Sequence, residues 1–322
     1  MPEWIVERGI GETRAALIDE GDIIEALIEL DGTLPAGSVI EARLVDPGVD
    51  GRNAIAVAEG GAEYMLPKGA SGAAQGATVK IEVTRETIPG TEPWKLPLAR
   101  VTTKPAQKMP SLAERLRARE LTLPAPRDEL AAVGWYDLID QARSGAIMFT
   151  GGELRISATP AMSLIDVDGY LASNELAIVG ATEGALAIRR LDIGGSIGID
   201  LPTVGSKTTR QWAATAIDDV LPQPFERTSV NGFGFVQIVR PRSRASLIEL
   251  AQDRPRFEAR ALLRRATFDG AGARRLVAHP VVIAVLEHGR CWLDTLAGQI
   301  GGAVSLRADA GLAMSGGYAE AA

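Results

Sequence analysis

The chain has 322 residues, of which 46% are hydrophobic and only 5% aromatic, enough to bury ordinary cores in roughly two or three domains. Its one cysteine, Cys291, excludes an intramolecular disulfide and fits a reducing compartment, and the formal charge of −7 argues against unspecific affinity for nucleic acid. No apolar run reaches bilayer length and no charged-then-apolar leader opens the chain, so a cytoplasmic protein without membrane association is expected. Residues 3–30 alternate between apolar and polar, and the DEGD run at 19–22 supplies a hairpin turn between two strands. Residues 36–104 read as five short strands (38–45, 53–58, 63–66, 78–85 and 96–103) separated by glycine-rich turns, which suggests a small OB-type barrel. Such barrels bind single strands by stacking bases on aromatics beside cations. Tyr64 and Lys95 are the candidates for that role, with Trp94 the other aromatic, against ordinary barrel packing.

Residues 105–110 form a linker. The SLAE run at 111–114 is a capping-box start for a helix to residue 120. A second helix follows over 127–143, containing Trp135 and Tyr136. The runs 154–158 and 162–168 read as strands, with Pro160 in the turn between them. Residues 174–191 have helical periodicity, end in Arg189 and Arg190, and are followed by Gly194 and Gly195; a short apolar strand then ends at Asp200. Strand, crossover helix and strand make a βαβ unit, which sets the two strands parallel and brings Asp166 and Asp200 to neighbouring carboxyl ends. Two carboxylates so placed raise each other's pKa, a conflict that a hard divalent cation such as Mg²⁺ removes. The alternative is that Asp168-Gly169 is a turn and Asp200 a cap before Pro202.

Beyond Asp200, a helix over 206–220 carries Lys207 at its positive end, within reach of a phosphate held between the aspartates. Strands are expected over 225–230 and 235–239, and Phe233, between two glycines, reads as fixing a turn. Charge is unevenly spread. Residues 1–50 carry twelve acids and three bases, whereas residues 240–275 carry ten arginines and four acids. That basic stretch is a path for a phosphate backbone or a solvated helix face. The C-terminal part reads helix (257–267), strand (275–279), helix (281–301) and strand (303–307). His279, His288 and Cys291 lack zinc-ligand spacing, so a zinc-linked dimer is not expected, while a homo-oligomer is open.

Over about ninety positions the order of motifs resembles the ribonuclease E/G family: GGELRIS (151–157), LIDVD (164–168), the helix at 174–190, DIGGSIGID (192–200), NGFGF (231–235) and VRPR (239–242). The resemblance implies an α/β fold, α+β overall. A ribonuclease-H-like subdomain (1–35 and 105–150) would carry an inserted RNA-binding barrel (36–104), followed by a DNase-I-like catalytic core (151–245) and a small KH-like domain (246–322). It implies Mg²⁺ held by Asp166 and Asp200, Asp168 orienting Asp166 or the attacking water, and Arg240 and Arg242 on the RNA backbone beside Lys207. The activity implied is cleavage of single-stranded RNA to 5′-phosphate and 3′-hydroxyl ends. The alternative is an RNA-binding protein that keeps the fold with weakened catalysis. The chain departs from the family at Asp168, where the family has asparagine, and at Gly232, where it has arginine. It also lacks the arginine-threonine signature of the 5′-end sensor and the cysteine zinc link, so 5′-end sensing is not expected.

Overall fold

The computed structural model describes residues 1–48, 52–70, 72–90 and 95–322, so Trp94 lies outside the described residues. The chain divides into two compact units, one made of Met1–Asp31, Leu112–Asp140 and Leu250–Ala322, the other of Gly32–Ser111 and Gln141–Glu249. This partition joins the N-terminal strands with the C-terminal segment, which the sequence reading kept apart.

The first unit opens with β1 (Glu3–Arg8), β2 (Glu12–Asp19) and β3 (Asp22–Leu30), an antiparallel meander. Glu20 and Gly21 turn the β2–β3 hairpin with positive φ values of 50° and 94°. The second unit begins with the barrel: β4 (Val39–Asp46), β5 (Ala54–Ala58), β6 (Glu63–Leu66), β7 (Thr78–Arg85) and β8 (Leu98–Val101) close in the order β4-β5-β6-β8-β7. Leu44, Leu66, Ile81 and Val83 fill it, and Ala42, Ala54, Ala56 and Ala99 leave room for the strands to close tightly.

The chain then returns to the first unit. Helix α1 (Leu112–Leu116) is shorter than the capping box suggested, because Arg117 adopts φ +52° and stops it. Residues expected to prolong that helix form β9 (Arg119–Leu121) instead, paired parallel to β1. Helix α2 (Trp135–Ser144) starts only after Gly134, whose φ of +94° ends a short turn of 3₁₀ helix, so the expected 127–143 helix is halved.

The second unit is completed by β10 (Ala146–Phe149), β11 (Gly152–Ala158), β12 (Ser163–Gly169), α3 (Ser173–Arg190), β13 (Gly195–Asp200), α4 (Lys207–Val220), β14 (Glu226–Arg227) and β15 (Phe235–Arg240). The six strands lie in the order β10-β11-β12-β13-β15-β14. Strands β12 and β13 run parallel, joined through α3, as the βαβ reading expects. One face of the sheet is apolar: Leu154, Ile156, Ile165, Val167, Ile197, Ile199, Val236 and Ile238 are buried on it. Helix α3 reaches this face through small residues. A Cβ at Gly180 would lie 2.4 Å from Val167 Cγ1, and one at Gly184 3.2 Å from Ile199 Cδ1. The opposite face carries Glu153, Arg155, Asp166, Asp168 and Asp200, since side chains alternate along each strand.

The remainder belongs to the first unit from Leu250 onward: α5 (Leu247–Gln252), α6 (Arg254–Phe268), β16 (Arg274–Ala278), α7 (Pro280–His288), α8 (Arg290–Ile300), β17 (Val304–Ala308) and β18 (Tyr318–Ala321). Gly289 breaks the single helix expected over 281–301 into α7 and α8. Strand β18, which the sequence did not suggest, pairs antiparallel to β16. Leu262, Leu263, Leu276, Val282, Leu286 and Leu296 are at the centre of this core. Among the described residues, no helix is long and apolar enough to cross a membrane.

Candidate active site

The parallel register of β12 and β13 makes Asp166 the direct partner of Asp200. Neighbouring strands lie about 4.8 Å apart, so the two carboxylates leave the same face side by side. Asp168 stands two residues along β12 on that face, and Arg155 is the antiparallel partner of Asp166 on β11. A row of Arg155, Asp166 and Asp200 thus crosses three strands, with Glu153 and Asp168 forming the next row. All three aspartates are exposed.

Partial burial, then the charge of Asp168 and then that of Asp200 push the Asp166 carboxyl above the usual value of 3.8. The backbone N–H of Val167 and the Arg155 guanidinium pull it the other way without cancelling the rise. The site therefore concentrates negative charge that a cation would relieve. Two adjacent carboxylates on an open face suit Mg²⁺, which takes one or two carboxylates and completes its shell with water and phosphate oxygens. Among the described residues no group of three or more His, Cys, Asp or Glu side chains converges on a single metal position. The fit is with a cation shared by protein, water and substrate, not with a cation wholly enclosed by protein ligands.

Beyond the carboxyl end of β13 the chain passes through residues 201–206 into α4. Ser206 caps that helix by accepting a hydrogen bond from Thr209 N at 3.1 Å, and the exposed Lys207 occupies its first position. The turn before β15 is locked against the same end: Gly234, with φ +96°, sits so close that a Cβ would lie 2.1 Å from Leu201 O. Asn231 Oδ1 accepts from Phe233 N at 2.9 Å and Phe235 N at 3.1 Å, and Thr203 Oγ1 donates to Phe233 O at 3.0 Å. Asn231 and Gly234 thus fix the turn that Phe233 was expected to fix, while the Phe233 ring is 80% exposed. Phe235 covers Gly198, where a Cβ would approach its ring to 2.5 Å.

The other candidates separate from this site. Arg240 pairs with Gly195 at the amino end of β13, five residues from Asp200, or about 17 Å along the strand. Its Nη1 donates to Ile193 O at 2.9 Å, beside the C-terminal end of α3. Arg242 ion-pairs with Glu249, which in turn accepts from Ser246 N and Oγ at 2.9 Å each. Both arginines hold the far end of the sheet together and stand away from the aspartates, contrary to the backbone-contact role expected of them. Tyr64 is 5% exposed, inside the barrel core, so its ring is closed to an RNA base. Lys95 is on the surface, and its Nζ donates to Pro160 O at 3.3 Å. Arg155 is the cation that the sequence reading missed: the register with Asp166 gives it a role, and register across an irregular loop is not written in a single strand.

In comparisons with protein-family models and with curated protein sequences, no match to this chain was found.

Proposed function

We propose that this protein is a Mg²⁺-dependent endoribonuclease of the ribonuclease E/G type, cutting single-stranded RNA to 5′-phosphate and 3′-hydroxyl ends. The observation that carries the proposal is the side-by-side register of Asp166 and Asp200 on the open face of a sheet, with Asp166 raised in proton affinity by partial burial and then by its acidic neighbours. The sequence motifs that resemble that family span the same elements. A bound Mg²⁺ supplies charge neutralisation on the scissile phosphate and easier deprotonation of water. Asp166 and Asp200 hold it. Asp168 stands where it can orient Asp166 or accept a proton from water, and Lys207, at the N-terminus of α4, offers a positive charge to a phosphate on the carboxyl side. Arg155 favours the ionised form of the Asp166 carboxylate and partly offsets the negative charge collected on this face.

The second reading, an RNA-binding protein with weakened catalysis, draws on the engagement of Arg240 and Arg242 at the far end of the sheet, which leaves fewer cations near the aspartates. One assay separates them. Purified protein and its Asp200→Asn variant are incubated with an unstructured oligoribonucleotide, with and without Mg²⁺. Mg²⁺-dependent fragments that vanish in the variant support the nuclease. Binding without fragments favours the second reading, and fragments that survive the substitution count against the site.

A further inference from the structure

We infer that Phe233 and Tyr170 form a base-stacking surface for single-stranded nucleic acid, flanking the acidic pair at the carboxyl end of the sheet; the inference rests on the nuclease reading above. Tyr170 and Phe233 are 85% and 80% exposed, the most exposed large aromatic side chains among the described residues. Leaving such rings in water forfeits the burial that large aromatics ordinarily gain, and on the nuclease reading their place at the carboxyl end of the sheet makes them available to a substrate base. Both backbones are held in place. Tyr170 follows directly on β12, with its N–H donating to Gly151 O at 3.0 Å. Phe233 is fixed through Asn231, Thr203 and the Gly234–Leu201 approach. Strands β12 and β15 are the two neighbours of β13 and lie two strand spacings or about 10 Å from each other across the sheet. These aromatics therefore come from opposite sides of the strand that ends in Asp200, Tyr170 four residues after Asp166 and Phe233 two residues before Phe235.

The nuclease reading makes the occupant a single strand of RNA, and charge decides how it can be held. Glu153, Asp166, Asp168 and Asp200 stand on this face against Arg155, a balance that repels a phosphate backbone beyond what one cation offsets. With Arg240 and Arg242 engaged elsewhere, neutral contacts must supply much of the hold on the strand near the site. Stacking on rings does so without regard to base identity. A polynucleotide presenting unstacked bases on both sides of the scissile phosphate meets these conditions.

The test uses the full chain in an Asp200→Asn background, with Mg²⁺, and a short oligoribonucleotide carrying 2-aminopurine, whose fluorescence falls on stacking. Phe233→Ala and Tyr170→Ala should each weaken binding by about fivefold to a hundredfold and relieve the quench. Phe233→Trp and Tyr170→Phe should keep both, and an abasic oligonucleotide should no longer distinguish the alanine variants from their parent. Alanine variants with the parent's affinity and quench would overturn the inference, as would a parent that binds no oligonucleotide. If the wild-type protein cleaves RNA and the alanine variants match the parent, the stacking inference falls alone. If the wild-type protein never cleaves but the quench depends on both rings, the stacking surface stands and the nuclease reading falls.

Discussion

Asp166 owes its raised pKa first to burial and then to the charge of Asp168, ahead of that of Asp200. A metal needs the ionised carboxylate, so affinity is full above the raised pKa and declines as pH falls through it. Asp168→Asn removes one repelling charge and should move the acid limb of Mg²⁺ binding, followed by isothermal calorimetry, to lower pH. Arg155→Gln removes an attracting charge and should move it to higher pH. A limb that stays put in both variants would show that the three groups do not communicate. The sign for folding is separate: a carboxyl with raised folded pKa favours the folded state below its unfolded pKa, and that contribution is lost as pH rises through the folded value. At the same scale, Arg240→Ala removes a donor to Ile193 O and should cost about 1–3 kcal/mol in denaturant unfolding while leaving the KM for RNA unchanged. A raised KM with unchanged stability would return Arg240 to the RNA-contact role.

Helix α3 is the element that makes the site possible. Its small face, Gly180, Ala181, Gly184 and Ala185, lets it lie close on Val167 and Ile199, and the tight contact fixes β12 against β13 so that Asp166 meets Asp200. Gly180→Leu forces the helix outward; overpacking of this kind costs about 1–3 kcal/mol, and the melting temperature should fall accordingly. If the aspartates work only in register, Mg²⁺ affinity should fall as well, even at temperatures where the variant is fully folded. The turn before β15 makes a similar case. Gly234→Ala meets both a positive φ and the Leu201 carbonyl, so it should destabilise the fold and displace Phe233, read as loss of oligonucleotide quench at low temperature.

At the scale of the whole molecule, the acidic N-terminal segment and the arginine-rich C-terminal segment meet inside one unit through Glu12. Glu7 pairs with Arg14 at 2.8 Å, and Arg14 also reaches Asp128 at 2.7 Å. Glu12 pairs with Arg260 at 3.0 Å and with Arg264. Two guanidiniums pack over the Trp135 ring, with Arg14 Cζ 5.2 Å and Arg264 Cζ 5.7 Å from its centre. Burial pushes Arg260 and Arg264 down to about 10, which leaves both cationic at neutral pH. The charges of Asp253 and Asp31 support Arg260 and that of Glu7 supports Arg264, beside their direct pairs with Glu12. Glu12→Gln removes the direct ion-pair partner of two buried cations and should cost about 3–5 kcal/mol, measured by urea unfolding. A change under about 1 kcal/mol would mean that the network is solvated and not a structural core.

Local chemistry in the sequence was sufficient for the strands of the barrel, the two principal helices α3 and α4, and the parallel β12–α3–β13 unit, because alternation, helical period, caps and glycine stops act over a few residues. It also brought Asp166 and Asp200 together, since a right-handed crossover of eighteen residues leaves little choice of neighbour. What it could not decide was where each arginine goes. Arg240, Arg242, Arg260 and Arg264 are alike as letters, and only the tertiary structure shows which pair with buried carboxylates and which cap carbonyls. The same holds for the aromatics: Tyr64 points into the barrel while Tyr170 and Phe233 face water, a difference of pleat parity and turn geometry. Long-range charge pairing and solvent exposure depend on which distant segments meet, and that is settled by packing of the whole chain, not by any stretch of it.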